Sequence, residues 1–101
     1  MASRRNLQKE LERVLGSRSV YFQPPESVKL KYPCIIYERD DGRDFRANDD
    51  LYLYRKNYLV TVIDSNPDSI IPDELLHFPM CSFDRFFVSD NLNHWTFTIY
   101  Y

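Results

Sequence analysis

Glycine is scarce in this sequence, since the 101 residues contain only Gly16 and Gly42. Phosphate-binding loops need several glycines at fixed spacing, because their backbone must approach the phosphates closely. A serine nucleophile on a sharp turn needs the glycines of G-x-S-x-G, which are also missing. The scarcity of glycine therefore excludes these motif-based classes of enzyme.

Cysteine is equally scarce, with Cys34 and Cys81 both inside predicted strands. A disulfide scaffold needs more cysteines, so we expect two reduced residues packed in the core of a cytoplasmic product. A catalytic thiol needs partial exposure in an electropositive setting, whereas Tyr32, Ile35 and Ile36 surround Cys34. We therefore expect an inert thiol and no enzyme activity, with a cysteine hydrolase as an alternative.

Metal-binding patterns are incomplete. The possible zinc ligands are Cys34, His77, Cys81 and His94. Only His77 and Cys81 have an acceptable local spacing, whereas two ligand pairs are the usual signature of a zinc site. The acidic loop at residues 40–50 lacks the alternating ligands and the terminal glutamate of an EF-hand. We predict no metal and no cofactor.

Long apolar runs are absent. The first residues, MASRRNLQKELERVLG, lack the apolar segment of a signal peptide, and no stretch is long enough to span a bilayer. We expect a single domain of 101 residues that is neither secreted by a standard signal nor embedded in a membrane.

The net charge of −2 is unevenly distributed. Residues 1–31 balance at +4, whereas residues 38–50 and residues 51–101 each balance at −3. Such polarity suits docking between subunits, and it does not provide the basic face of a nucleic-acid-binding domain. Tyrosines and basic residues at 52–56 could stack on bases, but Asp49 and Asp50 beside them would repel phosphates. We expect no specific binding of nucleic acid.

Apolar periodicity predicts the secondary structure. Leu7, Leu11, Val14 and Leu15 fall on one face of a helix over residues 4–15, which Gly16 is placed to end. We predict strands at residues 20–22, 34–38, 51–64, 80–88 and 95–101, the last two joined by residues 89–93, and a short helix within 69–78 that turns Leu75, Leu76 and Phe78 inward. The expected fold is an α+β domain with a mostly antiparallel sheet of about five strands, one long hairpin and two helices on one face.

The long hairpin from Tyr32 to Asp64 takes up about a third of the chain, and its loop carries six carboxylates and three arginines over residues 38–50. Aromatic residues make up 16% of the sequence, which suits either a β-rich core or contacts between proteins. A small domain with so long a projection is expected to act through its surface, by assembling with copies of itself.

Four segments together resemble the small tail-terminator, or tail-completion, proteins of long-tailed bacteriophages: VYFQPP at residues 20–25, YPCIIY at 32–37, YLVTVID at 58–64 and DNLNH at 90–94. The likeness covers residues 7–101 and includes the order of the elements. It implies a structural protein of the virion tail or neck, present in the host cytoplasm during assembly.

By this resemblance, the subunits form a ring, usually hexameric, that caps the tail tube, ends its growth and meets the head-side connector. DNA passes through the channel of such a ring without specific binding. Candidate channel or subunit-contact residues are the loop aspartates, Asp40, Asp41, Asp44, Asp49 and Asp50. Strand alternation and charge polarity suggest the candidate subunit interface, Tyr52, Tyr54, Tyr58, Arg4, Arg5 and Arg13.

Two other functions share these signals. A head-closure protein, or another connector of the phage neck, would occupy a neighbouring position in the virion. A monomeric or dimeric binding module would instead use the exposed hairpin to take up one partner by strand addition.

Changing Tyr52 and Tyr54 together to serine should abolish ring formation and leave a folded monomer, because aromatic area between neighbours is lost. Size-exclusion chromatography with light scattering measures the assembly, and circular dichroism measures the fold. A double variant that still forms rings would refute this interface.

Overall fold

The structure, a computed structural model, describes residues 4–40 and 57–101 of the chain. Its elements are α1 (Arg4–Leu15), β1 (Val20–Phe22), β2 (Cys34–Arg39), β3 (Asn57–Asp64), α2 (Ile71–Leu75), β4 (Cys81–Ser89) and β5 (Leu92–Tyr100). The strands form one sheet in the order β1-β2-β3-β5-β4. Only β1 and β2 run parallel, and the other neighbours are antiparallel. The predicted α+β fold with a mostly antiparallel five-stranded sheet is confirmed.

The first helix has the bounds that the leucine spacing predicts. Leu7 and Leu11 are fully buried, so the apolar stripe of α1 faces the core. Gly16 follows the helix with a φ of 81°, and its N–H donates to the Glu12 carbonyl oxygen at 2.8 Å. This left-handed residue ends α1, because glycine adopts that conformation without a steric clash.

The core lies between the helices and one face of the sheet, which we call the helix face. The opposite side of the sheet is called the open face. Alternate residues of each strand point to the helix face, and they form one cluster with the helices: Leu7, Leu11, Val20, Ile35, Tyr37, Tyr58, Val60, Val62, Ile71, Leu75, Phe97 and Ile99. Fully burying one such side chain stabilises the fold by about 1.5–3 kcal/mol.

A polar contact fixes α1 against the sheet. The buried Tyr37 hydroxyl donates to Gln8 Oε1 at 2.5 Å, and Arg4 Nη1 donates to the Tyr37 hydroxyl at 3.1 Å. Gln8 Nε2 also donates to the Val20 carbonyl oxygen at 3.1 Å. Burial raises the pKa of the Tyr37 phenol. These bonds satisfy the polar tip of a buried tyrosine and set the position of α1 over β1 and β2.

The second helix is shorter than predicted. It spans Ile71–Leu75, with Pro72 in its first turn as expected. Leu75 is fully buried and Phe78 packs against the core, whereas Leu76 is 51% exposed. The inward placement of Leu76 was wrong, because adjacent residues on a helix point in different directions. Among the described residues, no helix has the length and apolarity to cross a membrane.

The hairpin between β4 and β5 is tighter than predicted. Only Asp90 and Asn91 join the two strands, with φ values of 55° and 64°. Two successive residues of positive φ are the arrangement of a type I′ turn, whose twist matches that of the flanking strands. The last strand, β5, therefore begins at Leu92, and the prediction of a five-residue connection at 89–93 was wrong.

Replacing Gly16 with alanine should lower the free energy of unfolding by about 1 kcal/mol, because a Cβ is disfavoured in the left-handed region. No heavy atom lies within 4 Å of the added Cβ, so the backbone alone causes the effect. Urea denaturation measures it. Arg18→Ala, at an exposed position of the same connection, is the control and should leave the stability unchanged. An unaltered denaturation midpoint for Gly16→Ala would contradict this account of the helix end.

Candidate functional site

The strand β4 carries large apolar side chains at the surface. Phe83, Phe86 and Val88 are 47%, 46% and 60% exposed. β4 pairs with β5 on one side, and no strand within residues 4–40 and 57–101 pairs with its other side. A long apolar edge strand with an unpaired ladder favours addition of another strand, and natural proteins usually avoid one. This edge is therefore the candidate site.

These three side chains belong to the helix face. Phe83 stands opposite the buried Phe97, and Phe86 stands opposite Trp95. Their rings lie close to those partners, with centroid distances of 5.5 Å and 5.3 Å. The helix α1 packs against β1 and β2, at the other end of the sheet. The apolar surface of the core thus continues outward along β4, beyond the cover of α1.

A β-bulge interrupts β4 near its middle. The register passes from Phe83 opposite Phe97 to Arg85 opposite Thr96, so Asp84 is the extra residue. The Thr98 hydroxyl, on the open face, donates to Asp84 Oδ2 at 2.7 Å. The bulge therefore leaves both Asp84 and Arg85 on the open face, where a regular strand would alternate.

The open face beside the bulge holds a small stack of side chains. The Arg85 guanidinium lies 4.7 Å from the centre of the Phe87 ring. That ring stacks on His94 with a centroid distance of 4.6 Å and an interplanar angle of 13°. The His94 Nδ1 is 3.0 Å from the Leu92 carbonyl oxygen. These contacts hold the Arg85 guanidinium over the Phe87 ring, on the same face of the sheet as Asp84.

One of the five loop aspartates lies within the described residues. Asp40 is half-buried, and its N–H donates to the Asn57 carbonyl oxygen at 2.7 Å. It therefore stands where the β2–β3 ladder ends and the acidic loop begins. The other candidates of that loop and strand lie outside the described residues: Asp41, Asp44, Asp49, Asp50, Tyr52 and Tyr54.

Tyr58 lies in the core instead of at the surface. It is 2% exposed, and its ring packs edge-on against Tyr37 at a centroid distance of 5.9 Å. Burial raises the pKa of its phenol. Tyr58, Val60 and Val62 are alternate residues of β3, and all three point to the helix face. The ring of Tyr58 is therefore covered within the subunit. The structure therefore corrects the expectation that Tyr58 contacts a neighbour.

The three candidate arginines lie on α1 in different settings. Arg4 donates to Tyr37, and its guanidinium sits 4.4 Å from the centre of the Phe22 ring. Arg13 is paired with Glu10 one helical turn away, which raises the pKa of the Arg13 guanidinium. Arg5 is exposed. Arg4 is therefore engaged within the subunit, whereas Arg5 and the largely exposed Arg13 lie at the surface.

The four possible zinc ligands are not brought together. Cys34 and His94 lie in one row of the open face with Ile63 between them, so their strands are about 10 Å apart. Cys81 points to the helix face opposite Ile99, and His77 follows α2. No group of three or more histidine, cysteine or acidic side chains among the described residues is arranged to hold a metal ion.

Neither cysteine has the environment of a nucleophile. Both are free thiols, with Cys34 fully buried and Cys81 partly buried. Burial, with a smaller contribution from Asp64, raises the pKa of Cys34 to about 11. Burial, with a smaller contribution from Asp84, raises the pKa of Cys81 to about 11 as well. Both thiols are therefore protonated at neutral pH.

A groove of about 330 Å³ lies between α1 and the segment after α2. Its walls include Glu10 and Arg13 from α1, Glu74 and His77 from the region of α2, and Tyr101. Since Glu10 and Arg13 pair with each other, the groove presents mixed charge and no concentration of one sign. This arrangement does not indicate a particular ligand.

Comparison of the chain with protein-family models, with curated proteins and with solved structures finds no match. The candidate site is therefore defined by the geometry of the sheet edge alone.

The edge at β4 was missed from the sequence, although a signal was present. Strict alternation fails in Phe83-Asp84-Arg85-Phe86, where two residues separate apolar side chains instead of one. In a strand, this spacing indicates a bulge. Whether a strand lies at the edge depends on sheet order, which alternation does not encode.

Cys34 should resist alkylation in the folded protein. In a Cys81→Ser variant, iodoacetamide at pH 7 should modify the remaining thiol about a hundredfold more slowly than in urea, because burial suppresses both access and the thiolate. Mass spectrometry over time measures the rate. Rapid modification of the folded protein would contradict the buried, inert thiol and support a nucleophile.

Proposed function

We propose that this protein is a structural assembly protein whose subunits form a ring that caps a phage tail tube, ends its growth and joins the tail to the head-side connector. The exposed apolar edge of β4 carries the first half of this proposal, because it is a surface that needs a protein neighbour. The resemblance of the sequence to tail terminators carries the second half.

The side chains on β4 favour a protein contact over solvent. About half of the surface area of Phe83, Phe86 and Val88 is exposed to solvent, and these residues lie together on one strand. Covering apolar area stabilises a contact by about 25 cal/mol per Å² before the entropy lost on association. Backbone donors and acceptors along this edge, which no strand of the described residues pairs with, add direction to that contact.

The sheet topology also supports a ring. β1 runs parallel to β2, and the antiparallel steps through β3 and β5 leave β4 running opposite to β1. When a copy is placed beside the first in the same orientation, β4 of one subunit therefore lies antiparallel to β1 of the next. A contact between two different surfaces repeats from subunit to subunit and closes into a ring when the rotation allows it.

The acidic loop fits the channel of such a ring. Asp40 stands at the base of the loop, and Asp41, Asp44, Asp49 and Asp50 continue it in the sequence. Carboxylates facing the channel would repel the DNA backbone and ease its passage. The proposed mechanism is thus complementarity of shape and charge, with tail-tube protein on one side of the ring and a head-side connector on the other.

A binding module is the second candidate, and the same edge favours it. A strand from a different protein could pair with β4 and cover Phe86 and Val88 without any ring. The two functions differ in whether the neighbour is a copy of this chain, so the oligomeric state separates them.

The double variant Phe86→Ser and Val88→Ser should prevent ring formation on tail-tube protein, because it removes apolar area from the β4 edge. The matched control is Ile70→Ser and Leu76→Ser, whose side chains are 68% and 51% exposed away from β4. Light scattering after chromatography, with and without tube protein, measures the assembly.

We expect rings for the wild type and the control with tube protein, and none for the β4 variant. Wild-type protein that stays monomeric or dimeric with every tube preparation would overturn the ring and move support to the binding module. Rings formed by the β4 variant would overturn the use of this edge.

A further inference from the structure

The side-chain pattern of β4 is symmetrical about its bulge. On the helix face, the register with β5 places side chains in the order Cys81, Phe83, Phe86 and Val88. On the open face, the order is Ser82, Asp84, Arg85 and Phe87. Counted outward from a centre between Asp84 and Arg85, successive side chains lie on the same faces in both directions: first the open face, then the helix face, then the open face, then the helix face. In a regular strand, consecutive residues lie on opposite faces. A symmetry centre between two of them would therefore place helix-face residues opposite open-face residues.

We infer that the free protein is a dimer in which the β4 strands of two copies lie antiparallel about a two-fold axis passing between Asp84 and Arg85. A two-fold axis perpendicular to the sheet pairs each residue with one on the same face, and the symmetrical pattern of β4 meets this requirement. The occupant of the edge is therefore a second copy of this chain.

Apolar side chains meet on the helix face in this pairing. Phe83 stands opposite Phe86 of the second copy, and Cys81 stands opposite Val88 of the second copy. Both contacts occur twice because the interface is two-fold. The exposed parts of the phenylalanines and of Val88 are thereby covered by side chains of the same kind, which favours pairing across strands.

Charges complement each other on the open face. Asp84 stands opposite Arg85 of the second copy, and Arg85 stands opposite Asp84 of the second copy. Thr98 holds the Asp84 carboxylate and Phe87 holds the Arg85 guanidinium, so both groups are already oriented. Two opposite-charge pairs at the centre of the contact fix its register.

A second copy of β4 matches this edge better than a regular strand does. A strand without a bulge, such as β5, keeps side chains of the same face opposite each other along both halves of β4, but it offers only one residue opposite Asp84 and Arg85 together. The edge strand β1 spans only Val20–Phe22 and could match one half of β4. A second copy of β4 carries the same bulge and offers an opposite charge to both Asp84 and Arg85, which is why the observations favour it.

This dimer precedes the ring, an assignment that rests on the proposed function. In a ring that joins two different partners, all subunits have the same orientation along the ring axis. A two-fold contact instead relates two subunits of opposite orientation. The β4–β4 contact must therefore open before the edge can join a ring. In the free protein, it keeps the apolar edge covered.

Charge reversal at the centre tests the register. Asp84→Arg alone places two like-charge pairs in the dimer, as does Arg85→Asp alone. We expect each variant to raise the dissociation constant of the dimer by about tenfold, equivalent to about 1.4 kcal/mol. Sedimentation velocity over a concentration series measures this constant, and thermal unfolding verifies that both variants fold.

Two rescues are specific to the two-fold pairing. An equimolar mixture of Asp84→Arg and Arg85→Asp restores opposite charges at both positions in the mixed dimer. The double variant Asp84→Arg with Arg85→Asp restores them between identical chains. We expect a dissociation constant near that of the wild type in both cases. Loss of dimer without either rescue, or a wild type that is monomeric at all concentrations, would overturn the inference.

A second measurement reads the pairing directly. With Val88→Cys, Cys81 of one chain faces the new cysteine of the other, at a spacing that a disulfide can bridge. Mild oxidation should yield a covalent dimer, whereas Ser89→Cys, on the opposite face, should not. Equal crosslinking of both variants would overturn the register.

Adding tail-tube protein to these samples separates the two proposals. A dimer with the expected rescues that never forms rings would support the inference and overturn the ring. Rings formed with tube protein by a chain that is monomeric when free would support the ring and overturn the dimer.

Discussion

The width of sheet that two short helices can cover is the constraint on which this structure depends. One α-helix is about 10 Å across and strands are about 4.8 Å apart, so a helix shields about two strands. The twelve residues of α1 lie over β1 and β2, where the Tyr37–Gln8 hydrogen bond fixes them, and α2 has only five residues. Five strands present more apolar surface than these helices cover, so the helix face remains open at the β4 edge.

The two edges of the sheet meet this constraint differently. β1 is three residues long and therefore offers a neighbouring strand a short ladder, whereas β4 is nine residues long and carries apolar side chains on its helix face. A bulge and charged side chains commonly protect an edge, because the bulge twists the strand and the charges disfavour an incoming apolar strand. Against a copy of itself that protection fails, since the copy has the same bulge and the opposite charge at each central position. In the proposed dimer, the bulge with Asp84 and Arg85 is therefore matched better by a second copy of β4 than by an unrelated strand.

Local patterns in the sequence predict what is locally determined. The spacing of Leu7 and Leu11 and the position of Gly16 predict α1 with its bounds, because periodicity and a glycine stop need no knowledge of the sheet. Alternation also predicts the strands, but it cannot tell which parity faces the helices, so Tyr58 was expected at a surface and lies in the core. The candidate site depends on strand order, and that order is set by long-range pairing of β3 with β5. The exposed Leu76 has a similar origin, since which of two adjacent residues at the end of α2 faces the core depends on how the helix packs against the sheet.

The two proposed uses of β4 exclude each other, and this exclusion gives the assembly an order. One edge strand has one free ladder, so a subunit paired through a two-fold contact cannot at the same time extend a ring. A partner shifts such an equilibrium only by the difference between its affinities for the two forms. If both proposals hold, the tail tube has to bind ring-oriented subunits more tightly than dimers, by more than the free energy of the β4–β4 contact. A dimer of micromolar dissociation constant would set that difference at about 8 kcal/mol per pair of subunits. In the proposed assembly, the end of a tube would contact several subunits at once and a single tube subunit would not, so the ring would close where the tube ends.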